Sequence, residues 1–239
     1  AGLFGPPGIE SYLAQFWPEE VSLFFGNFDV VKAQQEFKGL AQILEEQQVK
    51  VLNLREAYAS TLSEPELSAE QLVGKLYEKV PVSSRDKANK EILRALLDAD
   101  ALLLGNEWKA VALNSALSCN PQIPMGNIYF ARDQSNVILD TCFLGNMAFP
   151  IRRPEVEVIH KALKSLGYNK FYQVKNGTFE GGDAMLIGGN AYIGSGMRTK
   201  SKAVEEIAQY LMNVYEIPTF MVKIPTNGDW KHDMNIMHL

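Results

Sequence analysis

Residues 177–196 read GTFEGGDAMLIGGNAYIGSG: an aromatic, an acid, two glycines and a second acid, then two short apolar runs joined by Gly188-Gly189-Asn190. Two apolar runs around a glycine-asparagine turn read as a β-hairpin. Glu180 and Asp183 stand at its mouth, where an unpaired buried charge is costly. A cationic guest between them is the first expectation.

Outward from this hairpin the chain repeats itself. After it come Arg198, a helix from about Ser201 to Tyr215 with Val204, Ile207, Ala208, Leu211 and Val214 on one face, and the strand-like TFMVKI. Upstream, residues 127–174 follow the same order. They run GNIYFARD (from Gly126), NVILDTCFLGNMAF with a turn expected at Gly145-Asn146, Arg152, a helix from Pro154 to Leu166, and FYQV. Pro154 suits a first helical position, and Val156, Ile159, Leu163 and Leu166 share a face. Each copy is strand, turn, strand, arginine, helix, strand, and such a ββαβ unit repeated at fixed spacing means stacked modules.

A partial earlier copy lies upstream, with an amphipathic helix over 28–48 (Val31, Ala33, Phe37, Leu40, Ile43, Leu44), the strand VKVLNL, and AGLF as the tail of a strand. Residues 62–118 read as mostly helical and more polar, a lid or subdomain inserted into the α/β fold, with Ser63 and Ser84 or Asp86 as helix caps. The expected organisation is a first module over 1–61, a helical insertion over 62–120, a second module over 121–175, a third over 176–225 and the start of a fourth over 226–239. The fold class is α/β.

Composition narrows the partners. The chain of 239 residues is long enough for one large or two small domains, and 46% hydrophobic with 21% charged residues is that of an ordinary globular protein. A net charge of -5 gives no basic field for phosphate backbones, so nucleic acid is not an expected partner. Two cysteines, Cys119 and Cys142, fit a reducing cytoplasm. No stretch approaches the roughly 20 apolar residues of a membrane span, and AGLFGPPGIE lacks the pattern of a signal peptide. The apolar opening and the apolar close, MNIMHL, lead us to expect a fragment of a longer protein.

In the two copies the acids fall at equivalent places, Asp133 after FAR and Asp183, with Glu180, after FEGG. Acids converging from two modules need a cation, and a planar guanidinium matches carboxylates edge-on. Phe130 and Phe179 are placed to wall such a slot, and Arg152 and Arg198 to take the carboxylate of an amino acid. Each feature has a plainer reading: Arg132-Asp133 as a surface pair, EGGD as a turn, Arg152 beside Arg153 as a solvated helix start. Recurrence in register favours the functional one. Of the histidines, His160 on a helix and His232 in a polar turn read as structural, whereas His238 lies in an apolar run and points toward the core or a site. Neither a GxGxxG opening a helix nor a GxxxxGK[ST] occurs, which argues against nucleotide binding.

Together, PMGNIYFARD at 124–133, FPIRRPE at 149–155, TFEGGD at 178–183, GMRTK at 196–200 and MHL at 237–239 resemble the arginine deiminase branch of the guanidino-modifying, or pentein, superfamily. The resemblance covers 124–239, about half the chain. It implies a propeller of five α/β modules, here partial, around a central site. There a cysteine thiolate attacks the guanidinium carbon, ammonia leaves, and water hydrolyses the thiouronium, without metal or organic cofactor. On this resemblance Asp133 grips the guanidinium, Glu180 binds it and assists proton movement, and His238 is the general acid/base. Asn127, Phe130, Arg152, Asp183 and Arg198 bind substrate. The family's Leu-Asp after the histidine and its nucleophilic cysteine would lie beyond Leu239, and neither Cys119 nor Cys142 matches that cysteine. The implied partner is a guanidino compound such as arginine. The rivals are an amidinotransferase, from which FEGGD departs, and a non-catalytic protein on the same scaffold. A partial ring leaves strand edges and module faces uncovered, which favours self-association. Size-exclusion chromatography is therefore expected to show a dimer or a proteolytically trimmed core; a clean, stable monomer contradicts this.

Overall fold

The computed structural model describes residues 1–24, 27–225 and 228. Its contacts divide into two compact units, Ala1–Phe130 with Lys161–Gly167 and Ala131–His160 with Tyr168–Leu239.

In the first unit, β1 (Gly2–Phe4) leads into α1 (Ile9–Ala14), α2 (Glu19–Ser22) and α3 (Val30–Glu46). Asp29 caps α3 by accepting the Lys32 N–H, and β2 (Val51–Asn53) then pairs parallel with β1, Leu3 opposite Leu52. Only Val30 of α3 is fully buried; Leu40 and Ile43, on its apolar face, stay exposed. Four helices follow, α4 (Leu54–Ala59), α5 (Ala69–Lys79), α6 (Lys90–Leu104) and α7 (Glu107–Asn114), the last running into a π-helical turn at Ser115–Cys119. The expected caps are corrected here. Ser68 starts α5 through a reciprocal bond with Gln71, and Asn89 starts α6, while Val82–Lys87 forms a separate 3-10 turn. A capping box three residues deep outcompetes the lone Ser63, which precedes Pro65. Leu13, Leu72, Leu76, Leu93, Leu97 and Val111 form this unit's core.

One charged residue is locked inside that unit. Arg55, on α4, is 3% exposed and gives Nη1 to both oxygens of Glu10 (2.9 and 3.0 Å). Its Nε and Nη2 go to Asp100 (2.9 and 2.6 Å), and Nη2 also to Asn114 Oδ1 (3.1 Å). All three guanidinium nitrogens have partners.

The second unit shows the repeated order directly. β3 (Ser135–Ile138) and β4 (Thr141–Leu144) pair antiparallel, α8 (Arg153–Ser165) follows, and β5 (Phe171–Gln173) pairs parallel with β4. Then β6 (Ala184–Ile187), β7 (Asn190–Ser195), α9 (Ser201–Tyr215) and β8 (Thr219–Lys223) repeat that pattern, giving sheets ordered β3-β4-β5 and β6-β7-β8. Ala203, Val204, Ile207 and Leu211 of α9 are buried in a core with Phe143, Phe179 and Ile193.

The hairpin turn expected at Gly145-Asn146 falls instead at Leu139-Asp140, where Leu139 takes a left-handed φ of 57°. Its counterpart, Gly188-Gly189, uses φ of 56° and 80°. An Asp after a leucine lacks the glycine signal that makes the second turn readable. Gly145-Asn146 has a different task, since Asn146 exchanges both backbone hydrogen bonds with Phe179 (2.9 Å each) and so joins the two repeats. Among the described residues no helix is long and apolar enough to cross a membrane.

Replacing Arg55 with Ala strands two buried carboxylates, which costs about 3–5 kcal/mol. Urea denaturation of the Arg55→Ala chain is expected to show a loss of that size, and a loss under about 1 kcal/mol contradicts the reading of a locked cluster.

Candidate active site

The Glu180 loop is pressed against the chain around Asp133, and a glycine makes that possible. A Cβ on Gly181 would stand 2.3 Å from the Arg132 carbonyl oxygen and 2.8 Å from that of Ser135. With only hydrogen there, the Gly181 N–H donates to the Asp133 carbonyl at 2.8 Å, and Gly181–Asp183 coils into a short 3-10 turn before β6. Two acids from two repeats are thereby drawn to one place.

Between them lies Arg152, 3% exposed, at the start of α8. Its Nη1 donates to Asp133 Oδ2 at 2.8 Å and faces Glu180 Oε2 at 3.8 Å, while Nη2 and Nε each lie 3.0 Å from Glu155 Oε2. Arg198 lies over the Phe149 ring, 4.5 Å from its centroid, and its Nη1 reaches both Glu180 oxygens at 3.1 Å. The loop is further held by the Glu180 N–H donating to Thr199 Oγ1 (3.1 Å) and the Ala148 N–H donating to Glu180 Oε1 (3.3 Å). Glu155 and Glu180 are 1% and 0% exposed, Asp133 6% and Arg198 2%. Among the described residues, the ion pairs of this cluster join three carboxylates to two guanidinium groups.

Burial pulls the Arg152 pKa down, but the charges of Glu155, Asp133 and Glu180 outweigh it and the net shift is upward. Burial pushes Glu155 up, with Arg152 offsetting part of that. The two shifts differ in origin: neighbouring carboxylates hold the proton on Arg152, whereas burial, with a smaller contribution from Asp133, raises Glu155 against the opposing pull of Arg152 and Gln134. Unlike the Arg55 cluster, this one is incompletely satisfied. Among the described residues Arg198 Nε is buried with no hydrogen-bond partner, and the Arg152–Glu180 contact is long. A buried donor without a partner stands out because such groups are ordinarily paired, and it offers a place for an acceptor.

The expected site residues are distributed as follows. Asp133, Glu180, Arg152 and Arg198 come together in the second unit, and the two arginines, expected to face a ligand's carboxylate, have carboxylates of this chain as partners. Asp183 is fully buried three residues along, its Oδ1 3.1 Å from where a Cβ on Gly194 would stand. Phe179 belongs to the core. Asn127 and Phe130 belong to the first unit, where Asn127 Nδ2 donates to the Ser22 carbonyl (2.9 Å) and Phe130, half exposed, packs on Tyr129. His238 lies outside the described residues. Sequence reasoning passed over Glu155 and its neighbour Gln134. The i, i+3 spacing of Arg152 and Glu155 was the available signal.

Cys142 is fully buried on β4, and burial pushes its pKa up to about 11, which suppresses the thiolate at neutral pH. Cys119 is half-buried in the first unit. Among the described residues no group of three or more His, Cys, Asp or Glu side chains is placed to hold a metal ion.

A family model described as arginine deiminase matches residues 22–239. The chain belongs to the arginine deiminase family. A member of that family named arginine deiminase, from Streptococcus sanguinis, is 25% identical over 234 residues, covering 87% of this chain and 55% of its own length. Dimethylarginine dimethylaminohydrolase, solved as an adduct with S-methyl-L-thiocitrulline, superposes with a TM-score of 0.55 at 14% identity over 94% of this chain and 61% of that one. AgrE, solved with L-arginine, gives 0.53 at 16% identity over 94% of this chain and 23% of that one. These two likenesses show that this arginine deiminase family chain has their α/β, pentein fold. The chain spans 28–55% of the length of the curated relatives that it matches.

Gly181→Ala is expected to force the two acid loops apart and cost about 1–3 kcal/mol in urea denaturation, the usual penalty of overpacking. Gly39→Ala, in the middle of α3 with open space around it, is expected to be neutral or to stabilise by up to about 1 kcal/mol. Equal effects at the two positions contradict the close-approach account.

Proposed function

We propose that the protein to which this chain contributes is a guanidine-group hydrolase that converts arginine and water to citrulline and ammonia. The observation that carries the reading is that Asp133 and Glu180, from different repeats, converge on one guanidinium, that of Arg152. Two carboxylates at this spacing are built to hold the planar cation that a substrate would bring. Family membership supports the chemistry, since the relatives' names are those of hydrolases acting on guanidine groups.

In this reading Asp133 and Glu180 hold the substrate guanidinium edge-on, which leaves the face of its planar carbon open to attack from above the plane. A cysteine thiolate bonds to that carbon, a C–N bond breaks, and ammonia departs with a proton delivered by the general acid. Water then adds to the thiouronium, the C–S bond breaks, and the ureido product leaves with the thiolate restored. Glu180 assists the proton movements, and His238 is the general acid/base. Asn127, Phe130, Asp183, Arg152 and Arg198 bind substrate, the two arginines taking the α-carboxylate. Neither cysteine of this chain matches the family's nucleophile, and Cys142 is a core thiol whose pKa burial raises. The thiolate then comes from sequence beyond these residues, and the working compartment is the reducing cytoplasm.

The test is the full-length protein with L-arginine, scoring citrulline and ammonia. Equal amounts of both are expected. Asp133→Asn and Glu180→Gln should each lower kcat/KM by about a hundredfold or more, whereas Cys119→Ser and Cys142→Ser should retain activity. Transfer of the amidino group to an added amine, or no turnover of any guanidine compound, overturns the reading.

A further inference from the structure

Arg152 has two ends, and they are held differently. Nη1 faces the two acids proposed to receive substrate, Asp133 at 2.8 Å and Glu180 at 3.8 Å. On the opposite edge, Nε and Nη2 each lie 3.0 Å from Oε2 of Glu155. That oxygen also accepts the Nε2–H of Gln134 at 2.5 Å, and Gln134, fully buried, directly follows Asp133 in the chain. Glu155 therefore joins the start of α8 to the segment that carries Asp133.

We propose that Glu155 is a positioning residue for substrate recognition: it clamps the far edge of Arg152, so that Nη1 keeps its place when Asp133 turns from Arg152 to an incoming guanidine compound. The inference rests on the functional reading that Asp133 and Glu180 receive the substrate. Substrate entry is then an exchange of ion pairs. As Asp133 engages the ligand, Arg152 loses its 2.8 Å partner, and a buried guanidinium without a counter-charge is strongly disfavoured. Glu155 remains as that counter-charge. It also stops the long side chain from following Asp133 or swinging away, leaving Nη1 ready for the ligand's carboxylate. A solvated i, i+3 pair at a helix start would do none of this, but Glu155 is 1% exposed and its carboxylate is used by two residues on two segments.

The experiment is steady-state kinetics of Glu155→Gln in the full-length protein, with Glu155→Asp beside it. Glutamine keeps the shape but removes the charge and sets an N–H2 group against donors. KM for L-arginine is expected to rise about tenfold or more with kcat changed less than about threefold, and aspartate to restore part of the loss. An unchanged KM in the folded glutamine variant, or an equal fall in kcat at constant KM, overturns the inference. If that variant does not fold, Gln134→Met removes a donor to the same oxygen without opening a cavity. It is expected to raise KM about threefold, and an unchanged KM again overturns the clamp. Should the wild-type protein turn over no guanidine compound, the functional reading fails by itself. The Arg152 Nε–H resonance of the present chain then decides the clamp: protected from exchange in the wild type and lost in Glu155→Gln supports it, and equal protection in both overturns it.

Discussion

A guanidinium buried among carboxylates must be met on nearly every side, because the interior offers no water to make up a missing partner. Arg152 imposes that requirement on the second unit. Asp133 must come from the segment before β3, Glu155 from the first turn of α8, and Glu180 from the loop before β6. The close approach at Gly181, the backbone exchange between Asn146 and Phe179, and the grip of Thr199 on Glu180 all serve to bring those pieces within reach of one cation. The hairpins and helices of the two repeats are the scaffold that delivers them.

Among the described residues buried arginines occur in two clusters, and the contrast is informative. Arg55 in the first unit engages Glu10, Asp100 and Asn114 through all three guanidinium nitrogens at 2.6–3.1 Å, the arrangement of a group whose work is to hold helices in register. Arg198 is held less completely, with a buried Nε that has no partner among the described residues. Saturation marks structure, and incomplete saturation in a buried cluster marks a place where a further charged group can be exchanged. The same distinction separates the thiols, since burial keeps Cys142 protonated and part of the core.

Much of the architecture was legible in the residues. The period near fifty, the apolar faces of α8 and α9 and the Gly188-Gly189 turn are local signals, each carried by a few neighbouring side chains, and they appear where the pattern placed them, except that Leu166 and Val214, at the ends of those faces, are exposed. The turn at Leu139-Asp140 was not legible, because its left-handed residue is a leucine tolerated by context rather than a glycine demanded by conformation. The caps at Ser68, Asn89 and Asn106 were missed for a related reason: several polar residues compete at each helix start, and hydrogen-bond geometry selects among them.

For the site, the sequence alone determined the cast: an acid and an arginine at matching places in two repeats, with glycines beside the second acid. Those identities are covalent facts, and their spacing is set by the helix and strand periods. The partners were decided only in three dimensions. That Arg152 and Arg198 meet the chain's own acids, that Glu155 rather than solvent takes the far edge of Arg152, and that Gln134 ties it to the Asp133 segment all follow from contacts between residues 3 to 28 positions apart. Such contacts depend on burial, which no local pattern encodes: the same Arg-x-x-Glu is a weak solvated pair on a surface and a clamp once water is excluded.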